Sequence, residues 1–423
     1  MSEKRYLFIS NSDLADTDAN GRTLRDAFSY VDEKQIYSFC TLRKNKNLPA
    51  NHVFYINEGV IFKPRLFLKT IHAMPLDASA SSSLGESKRR IKKNPLTCLL
   101  RNLVWSFNFL FFKKKLKAWI AAVGPDVLIF DPADFIFMHK IALYIAKIAK
   151  KPLTLYNTED FYFKTWNYLH KENGFGWLFP KFRRKLCSAY KKTFAKTVIC
   201  LHNVEGLKEL YEQEFPAARH YVAYHTSRLV VDAERSKKIR TIDFYYCGNL
   251  DKGRDRTIAL LSESIARISP KSRIYFNGRL SKTFDVGLLG KAKNVVDLGF
   301  VAYQEVQDKL KQDFILLSVA SLDEYDAKDK YHCFSTKLSD YVASCNPIIH
   351  IGPVGDEYLI LKKYNLAYVC DDINDIDATI KNALNDLNSS SYDKFLFQQT
   401  FYDRFLNPES ASLRVRKIVE GAL

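Results

Sequence analysis

Residues 331–350, YHCFSTKLSDYVASCNPIIH, hold the densest set of groups suited to gripping an anion. Ser335 and Thr336 stand where a loop enters a helix, so they can cap it while its first backbone N–H groups point outward. An ammonium group at Lys337 beside that terminus makes a site for a diphosphate, because the helix dipole and the charge act together. Asp340 lies one turn deeper on the same face, where a carboxylate can accept hydrogen bonds from ribose hydroxyls. The plain alternative is a capped helix whose Lys and Asp face solvent. Residues 244–254, FYYCGNLDKGR, form a second candidate. Gly248 ends an apolar run, and its missing Cβ lets a phosphate or sugar approach the backbone beside Asn249. Lys252 and Arg254 add positive charge within the same loop; a polar strand–helix turn is the rival reading.

Two further candidates lie in the N-terminal half. Glu159 and Asp160 follow the apolar run that ends at Tyr156. On an irregular turn one carboxylate can face a substrate while the other caps what comes next. A carboxylate there can orient or deprotonate an acceptor hydroxyl, and Asp160 is the first choice for that catalytic role. The rival is a helix cap with Phe161, Tyr162, Phe163 and Trp166 as core. After the first apolar run, Asn20, Gly21 and Arg22 read as a flexible turn closing on substrate. Asp16-Thr17-Asp18 has the spacing of a metal-binding pair but no third ligand, so no metal is expected. The G-x-G-x-x-G dinucleotide fingerprint is absent, which argues against a nicotinamide enzyme, and no cofactor is implied.

The elements that must carry these residues alternate. Apolar runs at 6–10, 126–131, 152–156, 196–201 and 221–224 read as strands, with helices over 22–30 and 135–150. Beyond a polar segment the alternation restarts, with strands at 243–247, 273–277, 295–298, 314–319 and 347–351. Helices are expected there over 257–268, 303–312 and 336–344. That is the pattern of two Rossmann-like halves. The expected domains are 1–226 and 241–400, joined by a linker at 227–240, with a helix over 401–423 returning to the first. Residues 79–93, Ser-rich and then basic, read as a mobile loop.

Composition narrows the class. With 423 residues, 47% of them hydrophobic, the chain can bury one large core or two ordinary ones, and it is no disordered or low-complexity protein. Eight cysteines without a C-x-x-C pair give neither a zinc knuckle nor a disulfide framework. The N-terminus lacks a signal-peptide pattern, and Arg101, Asn102, Ser106 and Asn108 interrupt the apolar stretch 96–112, so a cytoplasmic chain is expected. The net charge of +17 favours phosphate-bearing partners. It concentrates at Lys88–Lys93, Lys113–Lys117 and Lys181–Lys196, with Phe107, Phe109, Phe111 and Phe112 beside the second cluster. Such a face suits an anionic membrane surface, unless it is merely solvated. No nucleic-acid recognition motif accompanies the charge.

Taken together, residues 331–350 resemble the nucleotide-binding signature of GT-B glycosyltransferases, particularly the family-4-like enzymes of bacterial surface polysaccharide synthesis (capsule, exopolysaccharide or O-antigen). Asp340 stands seven residues before Pro347, the place of that family's ribose-binding acid. The sequence departs from the pattern at His332, where a first glutamate stands, and at Cys345, the place of a glycine ahead of the proline. Ser335-Thr336-Lys337 resembles the Ser-Lys form of the loop. Gly248 to Arg254 resembles the family's Gly-rich loop, whose basic pair neutralises the leaving diphosphate. Asn277-Gly278-Arg279 and the stretch Asp297 to Tyr303, resembling the nucleobase loop, follow in the family's order. The likeness covers residues 243–371 well and the N-terminal half loosely. It implies a GT-B fold, two Rossmann-like α/β domains facing each other across a cleft. It also implies a metal-independent, retaining transferase moving sugar from a UDP- or GDP-type donor to a glycan hydroxyl, with the acceptor on a lipid at the inner face of the cell membrane. The alternatives are a non-catalytic glycosyltransferase-like subunit, a GT-B epimerase, or a transferase acting on a soluble or protein-linked acceptor.

Overall fold

The computed structural model describes residues 4–11, 14, 19–41, 48–62, 93–169, 174–229, 242–278, 294–323, 327–328, 331–389 and 392–421. They form two compact units: residues 1–223 with 412–423, and residues 224–411.

In the first unit the strands are β1 (Tyr6–Ile9), β2 (Ile36–Cys40), β3 (Val53–Tyr55), β4 (Val127–Phe130), β5 (Leu153–Asn157), β6 (Thr197–His202) and β7 (Arg219–Val222). They pair in parallel in the order β3-β2-β1-β4-β5-β6-β7. Strands buried on both faces read as unbroken apolar runs, as Tyr6–Ile9 and Val127–Phe130 do. The order reverses between β1 and β4, which opens a crevice at their carboxyl ends. There Ser10 Oγ donates to Asp131 Oδ2 at 3.0 Å, and Thr41 Oγ1 donates to Asn11 Oδ1 at 2.8 Å. The helix Ala19–Ala27 begins before the expected 22–30 and takes in Asn20, Gly21 and Arg22. That residue trio is therefore helical and no flexible turn, and Gly21 is buried.

The long helix Pro95–Val123 has a reciprocal cap: Thr97 N donates to Asn94 Oδ1 at 2.9 Å, and Asn94 N donates to Thr97 Oγ1 at 3.0 Å. Pro95 at its first turn needs no N–H partner. Its inner face, with Trp105, Phe112, Leu116 and Trp119 buried, packs on the helix Ile136–Ala149; Trp105 stacks on Phe137 with centroids 4.3 Å apart. No helix among the described residues is long and apolar enough to cross a membrane. The chain end breaks into the helix Lys394–Phe401, a π-turn over Tyr402–Leu406 and the helix Pro408–Glu420. Val415 and Val419 join the core of Tyr6, Phe8 and Leu24, while Tyr6 OH donates to Glu420 Oε1 at 3.0 Å.

In the second unit the strands are β8 (Phe244–Cys247), β9 (Ile274–Asn277), β10 (Val295–Asp297), β11 (Ile315–Val319), β12 (Ile348–Ile351) and β13 (Tyr368–Cys370). All pairs are parallel, in the order β10-β9-β8-β11-β12-β13. The order reverses between β8 and β11, so Gly248 emerges at the switch point where α/β sheets bind ligands. The core joins Phe244, Tyr246, Leu261, Ile265, Leu317 and Ile349. Helices Arg254–Ile268, Tyr303–Leu310 and Thr336–Ala343 fall where the apolar spacing puts them, the first starting a turn earlier than 257. All eight cysteines are free. The expected mobile segment lies outside the described residues except Lys93, and so does most of the expected linker.

Candidate functional site

Gly248 has φ of 142°, a conformation that side-chain-bearing residues rarely adopt. A Cβ there would lie 3.1 Å from Tyr246 OH and 3.3 Å from Lys337 Nζ. The Lys337 ammonium sits 4.5 Å from the centre of the Tyr246 ring and 3.4 Å from its hydroxyl. The ring's negative face and the hydroxyl thus steer the cation over the bare backbone at the end of β8. Gly248 N donates to Asn277 O at 2.9 Å, and Gly278 N donates to Gly299 O at 3.1 Å. A Cβ on Gly278 would collide with the carbonyl of Gly248. The loops that follow β8, β9 and β10 are therefore laced main chain to main chain at the carboxyl ends of these strands.

The structure brings Gly248 and Lys337 together and gives their neighbours other work. Arg254 Nη1 pairs with Asp251 Oδ1 at 2.6 Å and reaches Asn249 O at 3.4 Å, folding back on its own loop. Lys252 is exposed with φ of 54°. Ser335 makes no side-chain cap, and its Oγ is buried with no hydrogen-bond partner. Its backbone N–H instead donates to Glu357 Oε1 at 2.6 Å. Asp340, 4% exposed, accepts from Ser227 Oγ at 2.6 Å and from Tyr303 OH at 2.9 and 3.0 Å. The solvent-facing carboxylate of the plain reading is thus wrong: Asp340 serves two hydroxyls of the chain itself. Burial pushes the Cys247 thiol up, while the Tyr341 hydroxyl and the Lys337 charge oppose the shift. His332, at the place of the family's first glutamate, faces Asp356 Oδ2 at 3.1 Å.

In the first unit the two adjacent carboxylates differ in burial and in partners. Asp160, the first choice for the catalytic role, is buried and accepts from Phe163 N at 2.9 Å and Tyr211 OH at 3.4 Å, closing a turn. Among the described residues no helix starts there, and the next helical turn is Gly176–Leu178. Glu159 is half-exposed and paired at 2.8 Å with buried Lys164. Residues 15–18, including Asp16 and Asp18, and Arg279 lie outside the described residues. Sequence reasoning passed over Tyr246, Ser227 and Glu357. Tyr246 had a usable signal, an aromatic two residues before a strand-ending glycine; Ser227 and Glu357 had none.

On the surface of the first unit, Leu100, Leu103, Phe107, Leu110 and Phe111 are exposed along one face of the helix Pro95–Val123, Phe107 by 62%. Trp177 is exposed by 77%. Phe112 is fully buried and Phe109 packs edge-on against Tyr144, so two of the four phenylalanines expected at a membrane face inward. Lys114 and Lys117 are exposed on the same helix, as are Lys181, Arg184, Lys185, Lys191 and Lys192 on the helix Phe179–Phe194. Arg183 turns inward, donating to Lys164 O and Tyr162 O at 2.7 and 2.9 Å.

No family model and no curated protein sequence matches the chain. Among solved structures it is similar to Anabaena HepE in complex with UDP and glucose, at TM-score 0.61 and 12% identity over 99% of this chain and 100% of that one. It also resembles the lipopolysaccharide outer core galactosyltransferase WaaB, at TM-score 0.58 and 16% identity over 99% and 100% of the two chains. A third is WaaG, a glycosyltransferase involved in lipopolysaccharide biosynthesis, at TM-score 0.55 and 12% identity over 98% of each chain. At these identities the shared property is the fold: two parallel-sheet α/β domains of GT-B type, as expected from the sequence.

Proposed function

We propose that the protein is a glycosyltransferase that moves a sugar from a nucleotide-diphosphate donor to a hydroxyl of a glycan acceptor. The observation that carries this reading is the Lys337 ammonium held by Tyr246 over the backbone of Gly248, at the strand-order switch of the second sheet. A departing diphosphate needs positive charge already in position. Lys337 and the first N–H groups of the helix Thr336–Ala343 supply it from side chain and backbone, so the reading is metal-independent, with Lys252 as a further cation. HepE, bound to UDP and glucose, has this fold, which supports a UDP-type donor. Retention of configuration rests on the family resemblance. Glu159, the more exposed carboxylate of its pair, takes the acceptor-side role, with Asp160 fixing its turn.

The acceptor we favour is carried on a lipid, as in surface polysaccharide synthesis. Its support is the apolar ridge Leu100–Phe111 followed by Lys114 and Lys117, a face suited to the anionic inner surface of the cell membrane. Donor binding is tested by thermal unfolding of the full chain with UDP-, GDP-, dTDP- and CMP-sugars, since a ligand that binds only the native state raises apparent stability. One nucleotide class should stabilise the wild type. Lys337→Ala should weaken that ligand by roughly 1.5–3 kcal/mol, the range for a charge-assisted hydrogen bond. No stabilisation by any nucleotide sugar, or equal stabilisation of the variant, rejects the assignment.

A further inference from the structure

We propose that Cys200, His202 and His220 form a binding site for one thiophilic cation, Zn²⁺ or Cu⁺, inside the first unit and independent of the sugar-transfer chemistry. Cys200 and His202 are two apart on β6, so their side chains leave the same face of the sheet. Strand β7 pairs with β6 in the register that sets His220 beside Cys200. One sulfur and two nitrogens thereby converge, each within 4.8 Å of the others. All three residues are buried. A thiolate with two imidazoles is a donor set that selects soft or borderline ions over Mg²⁺ or Ca²⁺.

The surrounding groups orient the donors. His220 Nε2 lies 3.0 Å from Phe215 O, so its N–H donates there and the Nδ1 lone pair faces His202. His202 Nε2 lies 2.9 Å from that Nδ1. Without an ion, His202 carries its proton on Nε2 and gives it to His220. Asn157, opposite His202 on β5, places Nδ2 3.5 Å from His202 Nδ1. Its own Oδ1 is fully buried and has no hydrogen-bond partner.

That orphaned oxygen is what a hydrogen-bonded histidine pair alone does not explain. Turning the Asn157 amide over presents Oδ1 to His202 Nδ1. His202 can then hold its proton on Nδ1, donate it to Asn157, and direct a bare Nε2 at the same point as His220 Nδ1 and Cys200 Sγ. Each imidazole would then donate its other ring N–H to a fixed acceptor, His220 to Phe215 O and His202 to Asn157, the arrangement by which proteins fix metal-binding tautomers. Coordination removes the thiol proton from Cys200 to solvent, and the histidines stay neutral. Strand β7 is the outer strand of its sheet among the described residues. Cu⁺ is satisfied by three such donors, whereas Zn²⁺ prefers a fourth.

The test is metal loading of the purified full chain. It is incubated with Zn²⁺, or with Cu⁺ under reducing, oxygen-free conditions, then desalted and its metal content measured. About one equivalent of one ion should remain on wild-type protein, and less than a tenth of that on Cys200→Ser and His220→Gln. Co²⁺ loading reads coordination directly through a thiolate-to-cobalt charge-transfer band, present in the wild type and absent in Cys200→Ser. Retention of neither ion by folded wild-type protein overturns the proposal without any variant. Equal loading of the wild type and both variants overturns it too, since the ion then sits elsewhere.

Discussion

Replacing Asp340 separates a carboxylate that holds the chain from one that awaits a ribose. Its oxygens accept from Ser227 Oγ at 2.6 Å and from Tyr303 OH at 2.9 and 3.0 Å, and the residue is buried. The same Ser227 is tied by its own N–H to Leu406 O at 3.0 Å. A hydrogen bond to a charged acceptor contributes about 1.5–3 kcal/mol net. Asp340→Ala leaves both hydroxyls without that acceptor and should cost roughly 3–5 kcal/mol. Asp340→Asn keeps one acceptor oxygen, and its cost should be about 1–2 kcal/mol. Urea unfolding followed by far-UV circular dichroism is the assay, because all four tryptophans (Trp105, Trp119, Trp166 and Trp177) lie in the first unit and their emission would miss the second. The order of midpoints should be wild type, then Asn, then Ala. If Asp340→Ala unfolds like wild type while nucleotide-sugar affinity falls tenfold or more, the carboxylate serves the ligand and this reasoning fails.

Gly278→Ala should abolish nucleotide-sugar binding while the chain remains folded, because a Cβ there displaces the Gly248 carbonyl; unchanged binding by calorimetry would place the donor elsewhere. Burial holds the His139 imidazole down to about 4, so the unfolded chain binds the extra proton between roughly pH 6.5 and 4. Stability should fall by up to about 3 kcal/mol as pH drops through that window, and His139→Gln should flatten the decline in urea midpoints; an identical decline in the variant removes His139 as its source. Glu159→Gln should slow sugar transfer about 10²-fold or more if its carboxylate handles the acceptor proton, whereas Asp160→Asn should mainly lower the melting temperature; the reverse pattern would return the chemical role to Asp160. The protein should sediment with anionic and not zwitterionic liposomes, release as salt rises, and lose sedimentation when Phe107 and Phe111 become Ser; equal partition into both vesicle types, or into neither, would refute the docking face.

What could be read ahead of the structure was whatever a residue determines locally. Parallel strands such as Val127–Phe130 and Ile348–Ile351 are buried on both faces, so they stand out as apolar runs between turn residues. Strand β2 was missed because Ser38 interrupts it, although Ser38 is buried, and β3 is only three residues long. The helix Phe179–Phe194 registered only as a charge cluster, since its Lys and Arg residues mask the inward spacing of Phe182, Leu186 and Tyr190. Gly248 and Lys337 were legible because a glycine ending a strand and a lysine opening a helix each have a physical reason to be there. Ser227 reaches Asp340 across 113 residues, and no local pattern records that pairing. Helix register likewise decided which phenylalanines faced out: Phe107 and Phe112 differ by the turn of the helix, not by their chemistry.

The two sheets share a plan yet treat their switch points differently, and that difference bears on where a nucleotide belongs. At the carboxyl ends of β1 and β4, Ser10 is matched to Asp131, and nearby Thr41 to Asn11, polar groups that satisfy one another. A diphosphate arriving there would meet the Asp131 carboxylate with like charge. At the end of β8 the chain instead exposes the backbone of Gly248, with an ammonium group poised above it and a helix beginning just before that lysine. Like-charge repulsion at one switch point and pre-positioned positive charge at the other are the physical grounds on which we propose the second unit for the donor. In the first unit the half-exposed carboxylate at the end of β5, Glu159, is already paired with Lys164 at 2.8 Å, so under the proposed function this unit suits the neutral hydroxyl of an acceptor better than a second anion.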